Sequence, residues 1–295
     1  MAKGHSFRAI LELLVAAALW GFGFIATKWI LGTLGAFELL FVRFLLASLI
    51  GLPFVLATEH SFKKKFKLSF WPGVLLMGTL AFQTWGLEYT TPTKSGFITT
   101  LYVIFVPLLE SALGRKRLPF EMWLCVLIAL VGTGLIVDIG LGQINFGDAL
   151  TFISAIIATG QIYWMGSVSP NVTRAFVFNV YQCFWCLFFF LPTLHFHEFF
   201  SKVSNCQAWP LQVWVGFLSL AAGSTIIAFY LQVKAQKDLS RTVSSLLFLL
   251  ESPFAMLFAI LLLGDRLTMR ESAGALLIFV AAFLATWIES RPRKE

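Results

Sequence analysis

About ten apolar stretches, each close to the length that crosses a bilayer, constrain this chain more than anything else in it. Their cores run Ala9–Leu31, Ala36–Ala57, Phe70–Leu87, Thr93–Leu113, Phe120–Val137, Gly147–Ser167, Arg174–His195, Leu211–Val233, Arg241–Leu263 and Glu271–Glu289. A helix rising 1.5 Å per residue needs ~20 apolar residues to span the hydrocarbon core. Connections are short, and only Glu59–Ser69 and Phe196–Pro210 leave room for more than a turn. No segment can form a soluble domain, so any chemistry must lie between helices. The charge content decides the class: 13% of residues are charged, against ~25% in a soluble domain. The expected fold is all-α and membrane-integral, and the first apolar run is too long for a cleavable signal and lacks a small-residue cleavage site.

The net charge of +7 does not point to nucleic acid, because the basic residues sit at helix ends rather than along one face. With the N-terminus inside, the inner loops hold Lys63, Lys64, Lys65, Lys67, Arg115, Lys116, Arg117, Arg174, Lys234, Lys237 and Arg241. The outer loops hold few, chiefly Lys202, Arg266 and Arg270. This bias places both termini in the cytoplasm and predicts a multi-pass protein of the plasma (bacterial inner) membrane.

An internal repeat is visible. Gly114-Arg115-Lys116-Arg117-Leu118 opens the fifth span and Gly264-Asp265-Arg266-Leu267 opens the tenth, each after a helix containing a proline, Pro107 and Pro253. Thr90-Thr91-Pro92-Thr93-Lys94 and Asp238-Leu239-Ser240-Arg241-Thr242 precede those two helices. The division is expected near 1–140 and 141–295. Five spans per half is an odd number, so the halves must be inserted upside down relative to each other. Such inverted repeats suggest a transporter with its site near the midplane.

Several of these stretches resemble EamA-type members of the drug/metabolite transporter superfamily. They are Ala18-Leu19-Trp20-Gly21-Phe22-Gly23-Phe24, then Arg43, then Tyr89–Phe97 leading to Tyr102-Val103-Ile104-Phe105-Val106-Pro107-Leu108 in the first half. In the second half they are Leu250-Glu251-Ser252-Pro253 and Leu263-Gly264-Asp265-Arg266-Leu267. Asp265 departs from the glutamate usual in the family, and the segment after Pro107 is shorter than that after Pro253. The resemblance covers essentially the whole chain. It implies ten helices in two inverted halves and export or exchange of small metabolites, without naming the substrate.

Polar residues inside the spans carry the functional reading. Glu251 lies mid-span, two residues before Pro253, which has no N–H to offer the carbonyl of Leu249. Burial disfavours the charged form of a carboxyl, so Glu251 is expected either to carry a proton in exchange or to pair with an ammonium group of the substrate. The equivalent stretch of the first half, Val103–Phe105, has no acid. Trp20, Gln83, Tyr102, Gln161, Trp164, Tyr230 and Glu251 are the expected substrate-binding residues, and Pro107 and Pro253 the expected hinges. Arg43 is read as a tether to another helix ahead of a substrate-binding residue. Glu12 and Lys28, on one helix, are ~24 Å apart and are read as reaching opposite interfaces.

Other motifs carry less. Cys183-Phe184-Trp185-Cys186 reads as buried thiols. His195-Phe196-His197-Glu198 lacks further metal ligands at convincing spacing, so no metal or other cofactor is expected. Gly132-Thr133-Gly134 reads as helix packing. No ATP-binding or hydrolase motif is present, so an enzyme is not expected. A secondary transporter of amino acids or similar solutes, working by alternating access, is the main expectation. The alternatives are a lipid or lipid-linked sugar carrier, and then a channel or an integral-membrane enzyme. The expected partners are the bilayer and a small-molecule substrate. A homodimer is compatible with the chain, but no sequence feature calls for one.

Overall fold

The computed structural model describes residues 3–58, 66–90, 92–113, 118–136, 144–263 and 268–291. The basic cluster Lys63–Lys65, the repeat motifs at 114–117 and 264–267, and the division at residues 140 and 141 lie outside the described residues. Helix follows helix, with no strand among the described residues. α1 is Lys3–Leu31, α2 Ala36–Thr58, α3 Phe70–Gly86, and α4 the two pieces Pro92–Thr100 and Tyr102–Ala112. α5 is Phe120–Ile136, α6 Phe146–Val168, α7 Ala175–Phe190 and α8 Leu211–Ala235. α9 is the pair Arg241–Phe248 and Glu251–Leu263, and α10 is Met269–Ser290. Among the described residues eight stretches are long and apolar enough to cross a membrane, and α5 is a shorter apolar helix.

Several helix starts are set by side chains. Asn145 accepts from the Asp148 amide at 2.9 Å while Asp148 accepts from the Asn145 amide at 3.1 Å, closing a capping box before α6. Thr268 and Glu271 do the same for α10. Ser240 caps α9, accepting from the Val243 amide.

The most extensive helix contacts recur when the halves are exchanged. α3 packs on α6 as α8 packs on α1; α4 packs on α6 as α9 packs on α1; α3 packs on α7 as α8 packs on α2. The pairs α2–α7, α4–α9 and α5–α10 are their own images. A chain of two unrelated halves would have no reason to repeat its neighbours in this way.

α5 and α10 approach through facing glycines. A Cβ at Gly274 would lie 2.5 Å from the Gly132 carbonyl oxygen, and one at Gly132 would lie 2.7 Å from that of Gly274. Backbone cannot yield there, so Gly274→Leu must separate the helices. Overpacking typically costs about 1–3 kcal/mol, and the variant is expected to unfold several degrees lower in detergent. Gly160→Ala, whose Cβ would first meet Leu75 at 3.6 Å, is expected to lose nothing. A Gly274→Leu protein as heat-stable as the native one would show that the contact is not tight.

α4 and α9 are both broken near mid-depth, for different reasons. In α9 the amides of Leu250 and Ser252 bond the carbonyls of Leu247 and Leu249 at 3.2 and 3.1 Å, a tightened turn ending at Pro253. In α4 the interruption is at Leu101, six residues before Pro107, which lies inside the piece Tyr102–Ala112. There the hydroxyls of Thr99 and Thr100 donate to the carbonyls of Ser95 and Phe97 at 2.8 and 2.7 Å. Such back-bonding competes with the helix amides and bends the chain.

Candidate functional site

A cavity of about 120 Å³ lies where α1, α2, α3, α4, α6, α8 and α9 meet. At roughly 10–15 Å³ per water position, it admits a small solute. Trp20, Gln83, Tyr102, Gln161 and Glu251 all line it, as do Arg43, Thr79, Thr84, Thr99, Ser224 and Gln232. Phe24, Phe229 and Phe248 supply apolar wall. The lining extends from Gln161, Gln232 and Glu251 toward Thr27 near the end of α1 and Leu87 at the end of α3.

α8 contributes through an unusual local backbone. Ser219–Ile227 is a π-helix, a wider turn that recurs at functional sites. Side chains from three other helices hold it. The Trp20 indole donates to the Ser224 carbonyl at 3.2 Å, Arg43 Nε donates to Thr225 Oγ1 at 2.7 Å, and the Asn179 amide donates to the carbonyls of Thr225 and Ile226 at 2.9 and 3.1 Å. Ser224 returns a bond to the Leu19 carbonyl at 2.8 Å. α9 comes close because residue 21 has no side chain: a Cβ there would lie 2.7 Å from the Glu251 carbonyl oxygen.

A guanidinium and a carboxyl, one from each half, face this space. Arg43, from the first half, is 5% exposed and forms no ion pair among the described residues. Glu251, from the second half, lies beside Tyr102 of α4, and both line the cavity. Gln232 Nε2 donates to Gln161 Oε1 at 3.1 Å, leaving Gln161 Nε2 and Gln232 Oε1 buried without partners among the described residues. Buried polar groups are normally satisfied, so this donor and acceptor are free for a solute in the cavity.

Two of the expected binding residues lie elsewhere. Trp164 is 41% exposed and packs on Trp71, and Tyr230 lines a different recess beside Phe176 and Lys234. The tether read for Arg43 is present, and the same guanidinium also lines the cavity, where the second reading, substrate binding, would put it. Glu12 does not simply reach an interface: it bonds Lys234 of α8 and Arg8, while Lys28 is exposed. Among the described residues no cluster of three or more His, Cys, Asp or Glu side chains is placed to hold a metal.

The opposite end of the helices is closed by a network between the halves. Arg241 of α9 donates to Glu110 of α4, to the Tyr163 carbonyl and to Ser167 of α6, each at 2.9 Å. Thr242 donates to the other Glu110 oxygen at 2.9 Å. Arg241 also lies 4.4 Å over the Tyr163 ring.

A repeated bundle with a small, largely apolar cavity between its halves, into which a few polar groups converge, is the architecture of a transporter. The EamA-like transporter family model matches residues 7–138 and again 145–287, and the chain belongs to that family. An uncharacterized transporter of Archaeoglobus fulgidus is 28% identical over 278 residues, covering 94% of this chain and 85% of that protein. The uncharacterized transporter YetK of Bacillus subtilis is 25% identical over 237 residues, covering 76% of this chain and 70% of that protein. A solved crystal structure, 17% identical, covers 98% of this chain and all of its own with a TM-score of 0.71, a likeness of fold alone.

Proposed function

We propose that the protein is a secondary transporter of amino acids or similar small polar metabolites, exporting or exchanging them by alternating access across the plasma (bacterial inner) membrane. The carrying observation is the cavity between the halves, to which Arg43 brings a cation from one half and Glu251 a carboxyl from the other. A solute with both an acidic and a basic group matches that pair, and the free donor of Gln161 and acceptor of Gln232 add two further contacts. The halves, near 1–140 and 141–295, are inverted with both termini cytoplasmic. The lysine and arginine bias and the recurring helix contacts support that arrangement.

In this reading the cavity faces outward, and the Arg241–Glu110 network holds the cytoplasmic end shut. Exchange of the two halves' conformations opens the network and closes the outer lining. The breaks at Leu101 and at Leu249 and Leu250 give α4 and α9 places to bend; Pro253 adjoins its break, and Pro107 would act from within the piece beyond the break. No step calls for an enzyme's covalent chemistry.

Counterflow in proteoliposomes tests the reading. Vesicles preloaded with an unlabelled amino acid are expected to take up the same labelled solute in a saturable way, several-fold above unloaded vesicles, for at least one member of a panel. Flux of a lipid with none of any amino acid would favour the carrier of lipid or lipid-linked sugar. Conductance in planar bilayers without saturable counterflow would make the protein a channel.

A further inference from the structure

A second recess, of about 430 Å³, lies apart from the central cavity, at the junction of the start of α7 with the ends of α2 and α8. Phe54, Thr173, Arg174, Ala175, Phe176, Val177, Tyr230, Lys234 and Lys237 line it. Three of these are cations and none is acidic. Lys234 is committed to Glu12 and lies 5.8 Å over the Tyr230 ring, and Lys237 donates to the Val172 carbonyl. Arg174 is exposed and is in no ion pair among the described residues, and neither is Lys237. The lining therefore carries uncompensated positive charge.

Its other walls are aromatic. Phe54, 55% exposed on α2, meets Phe176 edge to face with centroids 5.1 Å apart, and Phe176 meets Tyr230 at 6.0 Å. These rings sit where apolar spans give way to charged connections, the depth at which lipid headgroups meet acyl chains. The Arg174 side chain does not cap the first turn of α7, so that helix end adds its positive dipole end to the same recess. A soluble anion would gain from the cations but not from exposed rings at the bilayer edge. A phospholipid gains from both.

We propose that this recess binds the phosphate of an anionic phospholipid, held by Arg174 and Lys237 with its glycerol and upper acyl chain against Phe54 and Phe176. The site is independent of the transport cavity and of any substrate bound there. A lipid phosphate here would also sit beside Lys234, whose bond to Glu12 ties α8 to α1.

The test is native mass spectrometry of the detergent-purified full chain titrated with phosphatidylglycerol, phosphatidylcholine or inorganic phosphate. The native protein is expected to retain one phosphatidylglycerol molecule tightly. At about 1 kcal/mol per basic residue near a membrane surface, removing two cations in Arg174→Gln with Lys237→Gln weakens that binding about thirtyfold. Phosphatidylcholine binding is expected to be weak and equal in both proteins. Should the double variant not elute as a single folded species, Arg174→Gln alone is expected to weaken binding about fivefold, with Arg174→Lys near native. Equal retention of phosphatidylglycerol by native and substituted proteins would overturn the proposal. So would its displacement by inorganic phosphate at a matching concentration, which would make the site one for a soluble anion.

Discussion

Glu251→Gln, reconstituted in proteoliposomes, is expected to fold normally and to lose the coupling of transport to a proton gradient. Glutamine keeps the shape and a polar contact with Tyr102 but cannot take up and release a proton. One pH unit is worth 1.36 kcal/mol, which is about tenfold in concentration. With one proton exchanged per solute and a one-unit gradient, the native protein accumulates substrate up to about tenfold. The variant equilibrates it at about onefold. Glu251 suits the role because it is in no ion pair among the described residues, lines the cavity and sits at the break of α9. Its first-half counterpart in α4, Val103–Phe105, has no acid, so the carboxyl is not part of the repeated frame. Unchanged accumulation with an unchanged pH response would remove Glu251 from coupling. Weaker substrate binding with an intact pH response would make it the partner of an ammonium group instead.

Eight of the ten expected spans were legible because run length alone measures them, while α3 and α5 form shorter helices. The repeat was legible in its prolines and turn motifs, and the recurring contacts now give it a spatial form. Which face of each helix turns inward was harder to read, since in a helix apolar all round the pattern does not choose a side. Tyr230 is two residues from Gln232, about 200° around a helix of 3.6 residues per turn. The two cannot both face the cavity, and the glutamine does. Trp164 is likewise two residues beyond Ile162, a cavity residue, and packs on Trp71 instead. An aromatic against lipid and one against substrate have the same sequence signature. The break at Leu101 is less legible than a proline, because threonine back-bonding such as that of Thr99 and Thr100 also occurs in unbroken helices, as at Thr133 and Thr159. Arg43 is the converse case, since one helix cannot reveal what a long cationic side chain meets across the bundle.

Arg43→Gln and Thr225→Val separate the two roles that the structure gives this arginine. Both substitutions remove the 2.7 Å bond between Arg43 Nε and Thr225 Oγ1, but only the first removes the cation from the cavity. A lost hydrogen bond typically costs about 0.5–1.5 kcal/mol, so both variants are expected to unfold somewhat lower than the native protein. Removing one member of a buried charge contact costs about 2–5 kcal/mol of binding, roughly thirtyfold to several thousandfold in affinity. Arg43→Gln is therefore expected to abolish counterflow of a carboxylate-bearing solute and the stabilisation which that solute gives the native protein in a thermal-shift assay. Thr225→Val is expected to keep both within a few-fold, because Asn179 still holds the carbonyls of Thr225 and Ile226. If the two variants lose transport equally and in step with their stability, Arg43 is a tether alone. The acidic group of the substrate would then need another partner, and among the described residues lining the cavity there is no other cation.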